Sequence, residues 1–108
     1  MELYGLPNLQ VLELADNSFS GNVSEGFSSL LSLQVLNLTS NAFSGSIPMT
    51  YGFLQSLVIL SLSGNNISGG IPAELGNCSN LEVLQLHSNH LTGGRQFAKQ
   101  MYSSKKLG

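Results

Sequence analysis

Charged residues are scarce in this sequence, and their scarcity excludes several classes of protein. Only 9% of the 108 residues are charged, against about 25% in ordinary globular domains. Since 42% are hydrophobic, charge-driven disorder is excluded. The formal net charge of −2 excludes nucleic-acid binding through a broad basic surface. The single cysteine, Cys78, excludes an internal disulfide and a four-thiolate metal site.

Long apolar runs are also missing. No stretch approaches the roughly 20 consecutive apolar residues of a membrane span. The opening MELYGLPNLQ has an acid at its second position and no apolar run of leader length. We therefore expect no signal peptide, membrane span or anchor within this chain, which leaves its cellular location open.

The sequence is rich in one feature, a repeat of 24 residues. Asparagines recur at this step at Asn17, Asn41, Asn65 and Asn89, and leucine, apolar and glycine columns keep the same register. Each unit reads L-x-x-L-x-L-x-x-N-x-φ-x-G-x-φ, where φ is apolar. This register predicts a repeat array over 1–94, with a partial repeat at 1–5 and units at 6–29, 30–53, 54–77 and 78–94.

The L-x-L core of each unit has a period of two residues, which is typical of a short strand with leucines on one face. One such strand cannot bury its leucines alone, so the units must stack. The pattern predicts an α/β-type repeat solenoid with short parallel strands on its concave side and loops or 3-10 turns on its convex side. An asparagine after each strand can pair the backbone groups of a sharp turn, so we interpret the four recurring asparagines as structural.

Two segments carry a more specific motif: FSGSIPMTYGFLQSL at 43–57 and ISGGIPAELGNCSNL at 67–81. They resemble the plant-type leucine-rich repeat, which is marked by L-x-G-x-I-P. The first unit departs from this motif with FSGNVS at 19–24, and the fourth with LTGGRQ at 91–96. The resemblance covers roughly 1–94.

This resemblance implies a non-catalytic module from the ectodomain of a plant receptor-like kinase or receptor-like protein, outside the plasma membrane. Such a module binds a protein or peptide ligand, with a co-receptor as a further partner, in cell-surface signalling. The alternatives are an extracellular inhibitor of the polygalacturonase-inhibiting type and a non-functional truncated gene product. No nucleophile motif, kinase loop or paired acid and base occurs, so we predict no enzymatic activity, cofactor or metal.

Outward strand positions and their flanks are the candidate partner contacts, because a rigid parallel sheet presents side chains at fixed spacing. No aromatic or arginine residue occurs among them, which argues against a strong hot spot. The candidates are Val11, Glu13, Asp16, Val35, Asn37, Thr39, Ile59, Ser61, Ser63, Val83, Gln85 and His87.

N-x-S/T sequons begin at Asn22, Asn37, Asn66 and Asn77. In a secreted protein these are acceptors for glycans on an accessible surface. Together they favour an origin in the secretory pathway. A glycan on Asn37 would block part of the concave face.

Charge and register both change near Gly94. All six acidic residues lie in the first 94 positions and all four basic residues in the last 14. Phe97 and Met101 could share one face of a short helix, but we expect 95–108 to be a disordered basic tail. The chain also begins within a repeat, which suggests a truncated product joined to other sequence near Gly94. An array without caps exposes its core, so we predict a marginal, aggregation-prone monomer.

Overall fold

Successive repeats fold as stacked coils, each with a strand on one side and a 3-10 turn on the other. The computed structural model describes residues 6–94 and Phe97. The strands are β1 Val11–Glu13, β2 Ser20–Asn22, β3 Val35–Asn37, β4 Ala42–Ser44, β5 Ile59–Ser61, β6 Ser68–Gly70, β7 Val83–Gln85 and β8 His90–Thr92. The 3-10 segments are η1 Glu25–Ser29, η2 Met49–Phe53 and η3 Ala73–Asn77.

The main sheet confirms the predicted solenoid. Its four parallel strands run in the order β1-β3-β5-β7, so every second strand along the chain belongs to it. Val11 pairs with Val35, Val35 with Ile59, and Ile59 with Val83. The sheet register is therefore the sequence register, and each L-x-L leucine stacks on the leucine of the next unit.

A second set of parallel strands, which the sequence did not predict, lies in the segment after each asparagine. β2 pairs with β4 and β6 with β8. Ser20 pairs with Ala42, two residues short of a full repeat, so these strands are staggered from unit to unit. The amides of Asn66 and Ser68 donate to the carbonyls of Phe43 and Gly45, both at 2.8 Å, and extend this pairing across the middle of the array.

The core lies between the main sheet and the 3-10 turns. In the two middle units the strand leucines Leu36, Leu38, Leu60 and Leu62 are fully buried. Cys78 is also fully buried, as its place in a leucine column predicts. Close packing of stacked leucines supplies most of the stabilisation, since each buried leucine contributes roughly 1.5–3 kcal/mol.

The 3-10 turns begin in two ways. Pro48 and Pro72 precede η2 and η3, each with φ of −65°, a value that the proline ring fixes. The first unit has Ser24 at this position, and its Oγ accepts a hydrogen bond of 3.0 Å from the amide of Gly26. The departure of FSGNVS from the I-P motif therefore exchanges a proline start for a side-chain cap.

Most of 95–108, for which we predict disorder, lies outside the described residues, so that prediction is untested there. Phe97 is described, and its side chain is 5% exposed and packs in the core cluster. Its amide donates to the carbonyl of Gly93 at 3.0 Å.

Candidate functional site

The concave surface of the main sheet carries two rows of outward side chains. The first is aliphatic: Val11 and Val83 at its ends are 52% and 36% exposed, while Val35 and Ile59 are half-buried. These residues are brought into one row by the constant register of the sheet. A shallow apolar strip thus runs across all four strands.

The second row is polar, and its members are hydrogen-bonded to one another across the strands. Asn37 Nδ2 donates to Glu13 Oε1 at 2.7 Å, and Thr39 Oγ1 contacts Asn37 Oδ1 at 2.5 Å. Thr39 Oγ1 lies 2.6 Å from Ser61 Oγ, which lies 2.9 Å from the Gln85 amide. We call Glu13, Asn37, Thr39, Ser61 and Gln85 the polar row.

Hydrogen bonds connect the polar row from end to end. Ser61 Oγ donates to Gln85 Oε1 at 2.9 Å, and Thr39 Oγ1 donates to Asn37 Oδ1. The hydroxyl oxygens of Thr39 and Ser61 lie 2.6 Å apart, and Asn37 Nδ2 donates onward to the Glu13 carboxylate. Hydrogen bonds linked in this way polarise one another.

Two of the twelve candidate contacts are not accessible, which corrects the expectation that all of them face outward to a partner. Ser61 and Ser63 are each 2% exposed. Ser61 is enclosed because its hydroxyl bonds to neighbours on both sides. Ser63 occupies the register position between Thr39 and His87, and its hydroxyl has no hydrogen-bond partner among the described residues.

The flanking candidates lie where the chain leaves the sheet. Asp16 is exposed, and its amide donates to the carbonyl of Thr39 at 2.9 Å. Its φ of 59° is in the left-handed region, as are those of Ser40 and Ser88. His87 is exposed, with Nδ1 3.3 Å from Ser88 Oγ. The concave face therefore has the carboxylates of Glu13 and Asp16 at one end and the imidazole of His87 at the other.

The recurring asparagines occupy the turn that follows each strand. Asn65 is 6% exposed, and its Nδ2 lies 2.9, 3.0 and 3.2 Å from the carbonyls of Leu38, Leu62 and Ser63. Its Oδ1 accepts from the amide of Phe43 at 3.0 Å. One amide side chain thus satisfies backbone groups of its own unit and of the preceding unit.

Asn41 and Asn89 repeat this arrangement in their own units. Asn17 differs: it is exposed, and its Nδ2 donates to Leu14 and Ala15 of its own turn, both at 3.0 Å. Among the described residues, no repeat unit precedes that of Asn17, so its side chain has no neighbouring unit to which it could donate a hydrogen bond. An asparagine of this column therefore bonds across the stack wherever another unit precedes it.

The candidate glycan acceptors fall into two groups. Asn22, Asn66 and Asn77 are exposed away from the main sheet. Asn37 is half-buried, and its amide belongs to the polar row. A glycan on Asn37 would stand directly on the concave face.

Charge and ligand chemistry of the described part are simple. No lysine or arginine occurs in 6–94, which contains five carboxylates. Within 6–94 and at Phe97, no group of three histidine, cysteine, aspartate or glutamate side chains could hold a metal ion. Across the same residues, no helix is long and apolar enough to cross a membrane.

Sequence reasoning found the members of the polar row but not its connections. The signal was present in the column Glu13, Asn37, Ser61 and Gln85, since every member can form hydrogen bonds and the register makes them neighbours. The link through Thr39 was not visible, because it joins two adjacent columns diagonally.

Family models agree with the repeat. The Leucine Rich Repeat model matches residues 8–30 and 32–54, and the model of two leucine-rich repeat copies matches 55–93. A comparison with curated proteins finds no match.

Solved structures give closer relatives. The leucine-rich repeat ectodomain of the membrane receptor kinase GASSHO1/SCHENGEN3 from Arabidopsis thaliana, in complex with CASPARIAN STRIP INTEGRITY FACTOR 2, is 40% identical with a TM-score of 0.79, over 82% of this chain and 11% of that one. The Arabidopsis receptor kinase HAESA, in complex with the peptide hormone IDA and the co-receptor SERK1, is 40% identical with a TM-score of 0.78, over 82% and 15%.

A plant ice-binding protein is 36% identical with a TM-score of 0.78, over 82% of this chain and 29% of that one. The chain thus spans from 11% to 29% of the length of these three relatives. Because they differ in what they bind, the fold alone does not define a ligand.

Proposed function

The chain belongs to the leucine-rich repeat family, and we propose that it is a non-catalytic recognition module of the plant receptor-like type. Its concave face binds an extended peptide or protein segment laid across the strands. The observation that carries this proposal is the polar row. It spans all four strands of the main sheet without a break and lies beside the aliphatic row.

The two rows offer complementary contacts to an extended chain. The aliphatic row can cover apolar side chains of a ligand, while the polar row can pair its backbone amides and carbonyls. Because hydrogen bonds already hold the row in one arrangement, little side-chain entropy is lost on binding. The accessible candidates, which exclude Ser61 and Ser63, are the proposed contacts.

Charge favours a neutral or basic ligand. Glu13 and Asp16 are exposed at one end of the concave face, and 6–94 contains no lysine or arginine to attract an acidic segment. A cationic group of the ligand therefore belongs at this end, where complementary charge also speeds encounter. Support for a peptide ligand comes from HAESA, which is in complex with the peptide hormone IDA.

Location and further partners follow the same reasoning. Exposed sequons at Asn22, Asn66 and Asn77 support glycosylation in the secretory pathway and a place on the extracellular side of the plasma membrane. A co-receptor is the further partner proposed, as HAESA is in complex with SERK1.

A displayed library of random peptides tests the proposal. Peptides selected on the unchanged chain should bind Glu13→Gln and Gln85→Ala at least about tenfold more weakly, since such contacts contribute about 1–2 kcal/mol. The matched control is Phe53→Ser, which changes a side chain that is 65% exposed on the 3-10 side. Selected peptides that lose affinity for the control, and keep it for both concave variants, would overturn the proposal.

A further inference from the structure

A groove runs along the side of the array, where the chain passes from β4 and β6 into the 3-10 turns η2 and η3. Between the second and third units it forms a recess of about 480 Å³. We call this recess the lateral groove, and its lining includes Glu25, Pro48, Met49, Ile71, Pro72 and Glu74. No residue of the polar row or of the aliphatic row lines it, so it is a surface distinct from the concave face.

The floor of the lateral groove is apolar and rigid. Pro48 is buried and Pro72 is half-buried, and both have a φ of −65°, which the proline ring fixes. Met49 beside them is 61% exposed. Gly70 also lines the recess, and an added Cβ there would meet no atom of the described residues within 4 Å. The groove is therefore a preformed apolar surface whose burial by a partner would favour binding.

Carboxylates lie on both sides of Met49 along the stack. The register of 24 residues places Glu25 beside Met49, and Met49 beside Ala73, which precedes Glu74. Glu25 is exposed and Glu74 is half-buried. No lysine or arginine occurs in 6–94 to neutralise either carboxylate. The lateral groove thus presents negative charge at both ends of an apolar floor.

Spacing and charge select the chemistry of the occupant. Neighbouring coils are about 4.8 Å apart in a parallel sheet, so Glu25 and Glu74, two coils apart, are separated by roughly 10 Å. This separation is too large for one metal ion, and the described residues contain no group of three side chains that could hold one. Basic side chains at alternate positions of an extended segment lie about 7 Å apart on one face. Their length lets them reach both carboxylates, and their apolar stems can cover the two prolines.

We propose that the lateral groove is a second interaction surface, which binds an extended segment of a partner protein with basic side chains at alternate positions. The apolar stems of the segment cover Pro48 and Pro72, and its cationic groups pair with Glu25 and Glu74. Exposed ion pairs are individually weak, so the apolar floor supplies most of the affinity and the carboxylates select the partner. The proposal is independent of ligand binding on the concave face.

A second recess bounds the place of the partner segment. This recess of about 520 Å³ shares Glu25 and Pro48 with the lateral groove and extends toward Asn22, a candidate glycan acceptor. Asn22 does not line the first recess. The partner segment therefore belongs between Glu25 and Glu74, where the proposed glycan has no attachment point.

A displayed peptide library tests the lateral groove through its charge. Each member carries two arginines at alternate positions among random residues, and binders are selected on the unchanged chain. Their affinity is measured at physiological salt, where screening limits the effect of a charge to about 8 Å. Glu25→Gln and Glu74→Gln should each weaken binding about threefold or more, because an ion pair is lost. The matched control is Glu82→Gln, which neutralises an exposed carboxylate outside the groove and should change affinity less than about 1.5-fold.

A steric variant tests the same surface without removing charge. Gly70→Tyr adds a ring at a residue that lines the groove, where an added Cβ has no atom of the described residues within 4 Å. The ring should occupy the site and weaken the selected peptides about tenfold or more. Circular dichroism should match that of the unchanged chain, which separates loss of the site from loss of the fold.

Three results would overturn the proposal. The first is a selection that yields no peptide whose affinity falls in Glu25→Gln, Glu74→Gln and Gly70→Tyr. The second is a set of peptides that lose affinity for Glu13→Gln and keep it for these three variants, which would place cationic ligands on the concave face alone. The third is sedimentation of the unchanged chain as a dimer that Gly70→Tyr dissociates, which would assign the groove to a second copy.

Discussion

At the scale of single residues, the amide of asparagine solves a problem that no apolar residue can solve. Each sharp turn out of the main sheet leaves carbonyls and one amide without partners. Asn65 bonds three such carbonyls and the amide of Phe43 from a buried position. A buried backbone group left unpaired costs about 1–3 kcal/mol, so this one side chain prevents several such losses.

The first prediction follows from this difference in surroundings. Asn65→Ala should lower the free energy of unfolding by roughly 2–4 kcal/mol, because it strands buried backbone groups of two units. Asn17→Ala should cost less than about 1 kcal/mol, since Asn17 is exposed and water can replace its bonds. Urea unfolding followed by circular dichroism measures both. Equal losses for the two variants would refute the argument from burial.

The concave residues show where prediction from sequence reaches its limit. The register correctly placed Val11, Val35, Ile59 and Val83 in one row, because it depends only on the repeat. The burial of Ser61 could not be predicted, since it depends on which neighbours are large enough to close over a small hydroxyl. The accessibility of a side chain depends on the side chains around it, and these belong to several different repeat columns.

At the scale of the elements, the two kinds of strand differ in what specifies them. Each main strand overlaps the L-x-L core, in which one polar residue separates two leucines, and this period of two predicts the strand directly. The strands β2 and β6 read SGN and SGG, which lack the β-branched and aromatic residues typical of strands. Their pairing arises because stacking places neighbouring backbones side by side, so local sequence could not reveal it.

The 3-10 turns also depend on contacts between units, and this gives a second prediction. A Cβ on Gly52 of η2 would lie 2.5 Å from the backbone carbonyl oxygen of Glu74 on η3. Because the clashing atom belongs to the backbone, a change of side-chain rotamer cannot relieve the clash. Gly52→Ala should therefore destabilise the chain by about 1–3 kcal/mol, through separation of these two turns.

Gly70 provides the matched control for this change. It lies in β6, and an added Cβ would have no atom within 4 Å. Gly70→Ala should leave stability unchanged or raise it by roughly 0.4–1 kcal/mol, because alanine restricts the unfolded chain. Thermal unfolding of both variants decides the question. If Gly52→Ala unfolds at the same temperature as the unchanged chain, the close approach of η2 and η3 does not limit the stability of this fold.

At the scale of the whole molecule, stability of a repeat array is a sum over units and their interfaces. Leu38 and Leu62, in the two middle units, are fully buried, whereas Leu14 and Leu86 are only partly buried. The middle of the array therefore has more favourable interfaces per unit than either end. Opening should begin at the ends and reach the middle last.

Two amides with matched hydrogen bonds test this gradient. The amide of Leu14 donates to the carbonyl of Asn37 at 2.9 Å, and the amide of Leu38 donates to that of Ser61 at 2.8 Å. The bonds are equivalent in the sheet, so their protection differs only through the position of each unit in the stack. We expect Leu14 to exchange about tenfold or more faster than Leu38 in native-state hydrogen exchange. Identical exchange rates would mean that the four units open only together. A destabilising substitution in an end unit would then affect the concave face as much as one in a middle unit.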